Sequence, residues 1–174
     1  MTKHEKFADE ADADVKVRIG TPDDVHRMME IALLAVSENG FCSVNQEKLL
    51  NPIWAALNLN HGIVGIIGAP GDLIQATVLL VVGTVFYSDD PILEERAIYV
   101  RPEYRSAKGG RAARLCEFSR NTSDRLGLPL AIGVLSSHRT EAKVRMYSRI
   151  MGPPSGAYWL YNVTTGGHSQ VEGQ

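Results

Sequence analysis

The densest positive charge of the chain stands directly in front of a helical pattern. The stretch VRPEYRSAKGGRAARL (residues 100–115) joins an apolar run to that pattern and carries Arg105, Lys108 and Arg111. The first N–H groups of a helix have no intrahelical partner and bear the positive end of its dipole, so they attract an anion. Gly110 has no side chain, which lets a phosphate approach the backbone. The stretch therefore predicts a phosphate-binding loop.

Two common phosphate loops are excluded, because neither G-K-[ST] nor G-x-G-x-x-G occurs at this position. The charge distribution narrows the class of ligand further. Residues 101–149 carry 11 Lys and Arg against 4 Asp and Glu, a net charge of +7, and the remaining residues carry 7 against 16, a net charge of −9. A basic half within a chain of net charge −2 suits a compact anionic ligand better than a nucleic acid.

Composition argues against several other classes of protein. Cys42 and Cys116 are far apart and lack metal-type spacing, so we expect reduced thiols, a cytoplasmic location and no metal. The charged start of the chain is unlike a signal peptide, and no apolar run reaches the roughly 18 residues that span a membrane. A membrane partner is therefore not expected.

The elements that position the loop follow from hydrophobic periodicity. We predict one domain over residues 15–164, between disordered tails at 1–14 and 165–174. The order β-α-α-β-β-β-α-β-α-β predicts an α/β fold with a mixed, partly antiparallel central sheet flanked by helices. The predicted strands are 15–20, 62–71, 73–87, 92–100, 130–136 and 156–163, and the predicted helices are 21–39, 45–59, 109–126 and 140–151.

The loop resembles the acyl-CoA pyrophosphate loop of the GNAT superfamily of N-acyltransferases, whose usual form is R/Q-x-x-G-x-G/A. Arg105 and Gly110 match the two ends of that pattern, and Lys108 stands where the family usually has its first Gly. The order of elements is also the GNAT order, so the resemblance covers about residues 15–163. The full pattern V-x-P-x-x-R-x-x-x-x-G-R-A is formed by Val100, Pro102, Arg105, Gly110, Arg111 and Ala112.

A second stretch, TEAKVRMYSRIMG, is similar to the family pattern N-x-x-A-x-x-L-Y-x-x-x-G-F. Tyr147 matches the Tyr that the family commonly uses as general acid. Thr140 replaces the Asn, Ala142 lies one residue out of register, and Met151-Gly152-Pro153 replaces the Gly-Phe pair.

The resemblance implies an N-acetyltransferase in which a primary amine, on a small molecule or a protein, attacks acetyl-CoA directly in a ternary complex. It implies no metal, and it leaves a homodimer open. Backbone groups of Ile98, Tyr99 and Val100 would hold the acetyl carbonyl and its developing oxyanion. The pyrophosphate would lie against Arg105, Ser106, Ala107, Lys108, Gly109, Gly110, Arg111 and Ala112.

Two catalytic roles are predicted on the same grounds. Tyr147 would protonate the leaving thiolate, and Glu94 would accept the proton of the amine. Glu94 interrupts an apolar strand, and we expect it to share a strand face with Arg96, Ile98 and Val100. Glu95, His138 or a water molecule are the alternatives for the base.

Two other functions compete with acetyl transfer. One is a GNAT-fold binding or structural protein without catalysis, which the departures at Lys108 and Thr140 would suit. The other is a nucleotide-binding module that uses the same phosphate loop.

Overall fold

The computed structural model describes residues 15–40, 42–105, 110–134, 140–157 and 159. No helix within these residues has the length and apolarity that crossing a membrane requires. The strands are β1 (Arg18–Ile19), β2 (Gly62–Ile67), β3 (Ala76–Thr84), β4 (Pro91–Val100) and β5 (Leu130–Ile132), and the helices are α1 (Val25–Asn39), α2 (Gln46–Leu57), α3 (Arg111–Leu126) and α4 (Thr140–Met151).

The strands form one sheet in the order β1-β2-β3-β4-β5. The pairings among β1, β2, β3 and β4 are antiparallel, and β5 is parallel to β4. The predicted mixed sheet is therefore confirmed. Of the predicted strand 130–136, only Leu130–Ile132 is a strand, and residues 135–139, including His138, lie outside the described part. Most of the predicted strand 156–163 and both predicted tails lie outside it too.

Helices cover both faces of the sheet, because its central strands are apolar on both sides. On one face, Met28 and Ile31 of α1 and Ile53 of α2 pack with Leu79 of β3. On the other face, Leu115 of α3 packs against a second buried cluster, whose sheet members are Ile67, Ala76, Val78, Leu80 and Leu93. Alternate residues of β3 thus lie in opposite cores, as the two-residue period of a strand requires.

The helix boundaries follow their sequence signals. Asn45 caps α2, with its side chain accepting a hydrogen bond of 3.0 Å from the Lys48 N–H. Pro52 lies inside α2 but does not divide it. Gly110 and Gly127 flank α3, and both have the left-handed backbone that favours glycine.

A β-bulge interrupts the pairing of β4 with β3. Leu79 pairs with Ala97, but the next residue, Leu80, pairs with Glu95, so Arg96 is an extra residue on β4. A bulge of this kind moves the side chains before it to the opposite face relative to those after it. The bulge therefore decides which residues of β4 share a face.

Candidate active site

A cleft of about 540 Å³ opens beside the second half of β4. It exists because β5 pairs with β4 only from Leu93 to Glu95, whereas β4 continues to Val100. Most of the residues predicted to bind the cofactor line this cleft together with the predicted acid: Ile98, Tyr99, Val100, Arg105, Gly110, Arg111, Ala112 and Tyr147. Ser106, Ala107, Lys108 and Gly109 lie outside the described residues.

The start of α3 forms one end of the cleft. Gly110, the residue before the helix, has φ +56°, and a Cβ built on it would meet no atom of the described residues within 4 Å. The N–H groups of a helix N-terminus beside such a residue would suit an anion. The Arg111 side chain lies beside it, 3.0 Å from Oε1 of Gln75 and 5.1 Å from the centre of the Tyr104 ring.

Arg105 lines the same end, but its guanidinium is bonded to a carboxylate. Its two terminal nitrogens donate to the two oxygens of Glu38 on α1 at 2.9 and 2.6 Å, and its Nε donates to the Val100 carbonyl at 2.6 Å. Tyr99 donates to Glu38 at 3.0 Å and lies 5.0 Å beneath the Arg105 guanidinium. Burial alone would raise the pKa of Glu38, but the hydrogen bonds from Arg105 and Tyr99 hold that pKa below its usual value.

A buried carboxyl–phenol pair forms the other end of the cleft. The Tyr147 hydroxyl, on α4, donates to Glu95 of β4, and Ser119 Oγ of α3 lies 3.3 Å from the second oxygen of Glu95. Burial raises the pKa of Glu95 despite these hydrogen bonds. Burial, and then the charge of Glu95, also raise the pKa of Tyr147, so the phenol stays protonated while the carboxylate is ionised.

Glu94, the predicted base, does not line the cleft. It pairs with Val81, on the face that packs against α1 and α2, where its carboxylate lies over Gly83 and forms an ion pair of 2.5 Å with Arg96. The expectation that Glu94 shares a face with Ile98 and Val100 is therefore wrong. It assumed regular alternation along β4, and the bulge at Arg96 gives that face to Glu95 instead.

The cleft is lined by three charged residues that the sequence analysis missed: Glu38, Lys143 and Arg149. Lys143 lies one turn before Tyr147 on α4 and lines the cleft, and burial lowers the pKa of its ammonium. Its spacing of four residues from Tyr147 was a usable signal, because such residues share a helix face. Glu38 gave no such signal, since it reaches the cleft only through the packing of α1 beside β4.

Neither cysteine lines the cleft. Cys42 is exposed and Cys116 is buried, and both are free thiols. Burial, followed by the charges of Glu95 and Glu117, raises the pKa of Cys116 to about 12. The Cys116 thiol is therefore protonated and unreactive at neutral pH. The described residues contain no cluster of three or more side chains suited to hold a metal ion.

Solved structures share this architecture. The structure of AAC(6')-Iy in complex with the bisubstrate analogue CoA-S-monomethyl-acetylneamine is 14% identical with a TM-score of 0.64, and the match covers 86% of this chain and 98% of that one. A possible acetyltransferase from Clostridium difficile 630 is 18% identical with a TM-score of 0.60, over 86% and 98% of the two chains. A ribosomal-protein-alanine N-acetyltransferase from Brucella melitensis biovar Abortus 2308 is 11% identical with a TM-score of 0.59, over 84% and 99%.

No protein-family model matches the chain, and no curated protein matches it either. At these low identities the structural likeness defines the fold alone. The chain has the fold of the GNAT acetyltransferases, as its motifs predicted.

Proposed function

We propose that the protein is an acetyl-CoA-dependent N-acetyltransferase. The observation that carries this proposal is the continuous cleft beside β4, which leads from the open helix start at Gly110 to the Glu95–Tyr147 pair. One end of this cleft suits a phosphate and the other suits proton transfer. Transfer of an acetyl group from coenzyme A to an amine needs both functions in one cleft.

The residues of the first end fit the anionic part of acetyl-CoA. The start of α3 offers backbone N–H groups and a positive dipole end. Arg111 beside it adds a cation, and Tyr104 an aromatic ring. The cleft side of β4 from Ala97 to Val100 has no strand partner among the described residues. Its backbone groups can therefore hydrogen-bond the linear arm of the cofactor.

The second end fits the proton transfers that aminolysis requires. When bound, acetyl-CoA supplies the thioester carbonyl that the amine attacks. Glu95 then takes one proton from the amine nitrogen, directly or through water, and Tyr147 gives its hydroxyl proton to the thiolate sulfur. The proton on Glu95 passes to the Tyr147 oxygen, which restores both groups after the thiol has left.

Their hydrogen bond couples these two transfers. While Glu95 is ionised, its charge helps to hold the pKa of Tyr147 high, and the phenol is a poor acid. Once Glu95 has received the amine proton, that charge is gone and the phenol becomes a stronger acid. Tyr147 therefore donates most readily after the amine has lost its proton. In this proposal Glu95 takes the role that the sequence analysis gave to Glu94.

The acceptor class is proposed from a structural neighbour, because the charge of the cleft does not select one. The carboxylates of Glu38 and Glu95 line the cleft, but so do five cationic side chains: Arg96, Arg105, Arg111, Lys143 and Arg149. AAC(6')-Iy, whose bisubstrate analogue carries acetylneamine, shares the fold. We therefore propose a small-molecule amine as the acceptor class.

Thermal unfolding with acetyl-CoA tests the proposal. A ligand at 100 times its dissociation constant stabilises a folded protein by about 2.7 kcal/mol, and we expect acetyl-CoA to do so. ATP at the same concentration is the control, because it carries phosphates on an adenosine but no pantetheine arm. Equal stabilisation by ATP would favour a nucleotide-binding module, and no shift with millimolar acetyl-CoA would contradict the proposal.

A binding protein without catalysis is the second candidate. The observation that favours it is the engagement of Arg105 by Glu38, which withdraws a cation from the phosphate end. Release of free coenzyme A thiol from acetyl-CoA in the presence of a panel of amines separates the two. Binding of acetyl-CoA with no thiol released by any amine would support the second candidate.

A further inference from the structure

Glu38 and Arg105 form a bidentate ion pair across the cleft. The pair joins the last turn of α1 to the residue that follows the short helix Pro102–Tyr104, 67 positions along the chain. The two side chains are only 24% and 22% exposed. Planar, bidentate contacts of this kind are stronger than ordinary hydrogen bonds, and partial burial shields this one from solvent.

The same guanidinium is the one that the loop motif assigns to the cofactor. All three of its nitrogens are already hydrogen-bonded, two to Glu38 and one to the Val100 carbonyl. A pyrophosphate offers Arg105 the bidentate, anionic contact that Glu38 now makes, so the two anions compete for the same guanidinium nitrogens. Both cannot hold them in the same way at once.

We propose that Glu38 is a latch: it holds Arg105 until the pyrophosphate of coenzyme A displaces it, and the displaced carboxylate then faces the cleft. This inference rests on the proposed function, since it takes coenzyme A as the ligand. It goes further by assigning to Glu38 control over cofactor affinity and over the charge that an acceptor meets.

The surroundings of Glu38 make the exchange feasible. Its other partners include the Tyr99 hydroxyl, at 3.0 Å, and the charge of Lys143, which acts on both Glu38 and Glu95 from α4. A carboxylate that loses Arg105 thus keeps a hydrogen-bond donor and a neighbouring cation. It is not left as an uncompensated charge, the situation that makes the loss of one partner most costly.

The latch predicts that removing the carboxylate strengthens cofactor binding. Glu38→Gln is expected to bind coenzyme A about tenfold more tightly than the wild-type chain, since the competing charge-assisted contact is gone. The measurement is titration calorimetry with coenzyme A alone, so no acceptor is needed. Glu30→Gln is the matched control: it removes the same charge from an exposed pair with Arg27, about two turns earlier on α1, and should leave the affinity unchanged.

A double-mutant cycle separates the latch from simple repulsion. Arg105→Gln should weaken binding, and Glu38→Gln should give no gain in the Arg105→Gln background, because Glu38 acts through Arg105. A gain that persists without Arg105 would mean that Glu38 only repels the phosphates, and it would overturn the latch. Glu38→Asp, with the charge kept and the reach shortened, should fall between wild type and Gln, and it replaces the Gln variant if that one does not fold.

The outcomes also distinguish this inference from the proposed function. If the wild-type chain binds coenzyme A and Glu38→Gln binds it no better, the latch is wrong and the cofactor assignment stands. If neither the wild type nor any variant binds coenzyme A, the proposed function fails and the latch fails with it. A lower melting temperature of Glu38→Gln together with tighter binding is the expected signature, which a purely structural ion pair would not produce.

Discussion

The two ends of the cleft hold their charged groups in different ways. At the end that we propose for the phosphates of the cofactor (the phosphate end), Arg105 is paired with Glu38 in a partly buried contact, and no described atom lies within 4 Å of a Cβ built on Gly110. At the end that we propose for proton transfer (the proton end, formed by Glu95 and Tyr147), Tyr147 is buried and its hydroxyl donates a hydrogen bond to Glu95. An anion site gains from open backbone and exchangeable cations, whereas proton transfer gains from burial that shifts pKa values. Changes at the first end should alter affinity, and changes at the second end should alter rate.

The largest expected effect tests the phosphate end. Gly110→Asp should abolish measurable binding of coenzyme A, because it puts a carboxylate and its bulk where a phosphate approaches the start of α3. The fold should survive, since a Cβ at Gly110 meets no atom of the described residues within 4 Å and the left-handed backbone costs about 1 kcal/mol. Calorimetric titration with coenzyme A and thermal unfolding measure the two quantities.

Gly127→Asp is the control for that strain. Gly127 has φ +65° at the far end of the same helix, and a Cβ built on it likewise meets no atom of the described residues within 4 Å. It should lose similar stability and bind coenzyme A as the wild type does. Normal binding by Gly110→Asp would show that the anion site lies elsewhere.

Tyr147→Phe tests the proton end. It should lower the maximal rate about 10²–10⁴-fold with little change in cofactor affinity, the effect of losing a general acid. Because the hydroxyl is a buried donor to Glu95, we also expect a loss of about 1–3 kcal/mol in the free energy of unfolding. Steady-state kinetics with saturating acetyl-CoA, beside denaturant unfolding, measure both. A loss of stability with an unchanged rate would make Tyr147 a structural residue.

The sequence predicted the start of α3 better than the partners of the charged side chains. The bounds of α3 are local features, because Gly110 before it and Gly127 after it are signals that can be identified in the sequence itself. The partner of Arg105 was not predictable, because Glu38 is 67 positions away and meets it only through tertiary packing. Local signals thus predicted the start of α3 but not the ion pair of Arg105.

The predicted strand face of Glu94 was wrong because β4 contains one extra residue, Arg96. The run ILEERAIYV has no Gly or Pro that would mark a bulge, so regular alternation placed Glu94 with Ile98 and Val100. Tyr147 was found from its helix motif and does line the cleft. Its hydrogen bond to Glu95 could not be predicted, because it depends on the bulge at Arg96 and on the packing of α4 beside β4.

The smallest expected effect is that of Glu95→Gln, which we compare with the same change at the neighbouring Glu94. Glu95→Gln should lower the rate about 10²-fold at neutral pH, the lower end of the range for a general base, since water can replace it in part. In the wild type the rate should rise with pH as Glu95 ionises. Burial raises that pKa above its ordinary 4.5, so the rise should occur at higher pH than for an exposed carboxyl. The Glu95→Gln variant should lose this rise, the acidic limb of the pH–rate profile.

Glu94→Gln is the matched control, one residue away on the opposite face. It removes the same charge and breaks an ion pair with Arg96, whose side chain is 55% exposed, so its effect on stability should stay within about 1 kcal/mol. Its rate and its acidic limb should match those of the wild type. If Glu94→Gln lost the limb and Glu95→Gln kept it, the bulge would not govern the chemistry and the base would lie on the α1 face. The pH–rate profiles of both variants, measured with one acceptor at saturating acetyl-CoA, decide between the two faces.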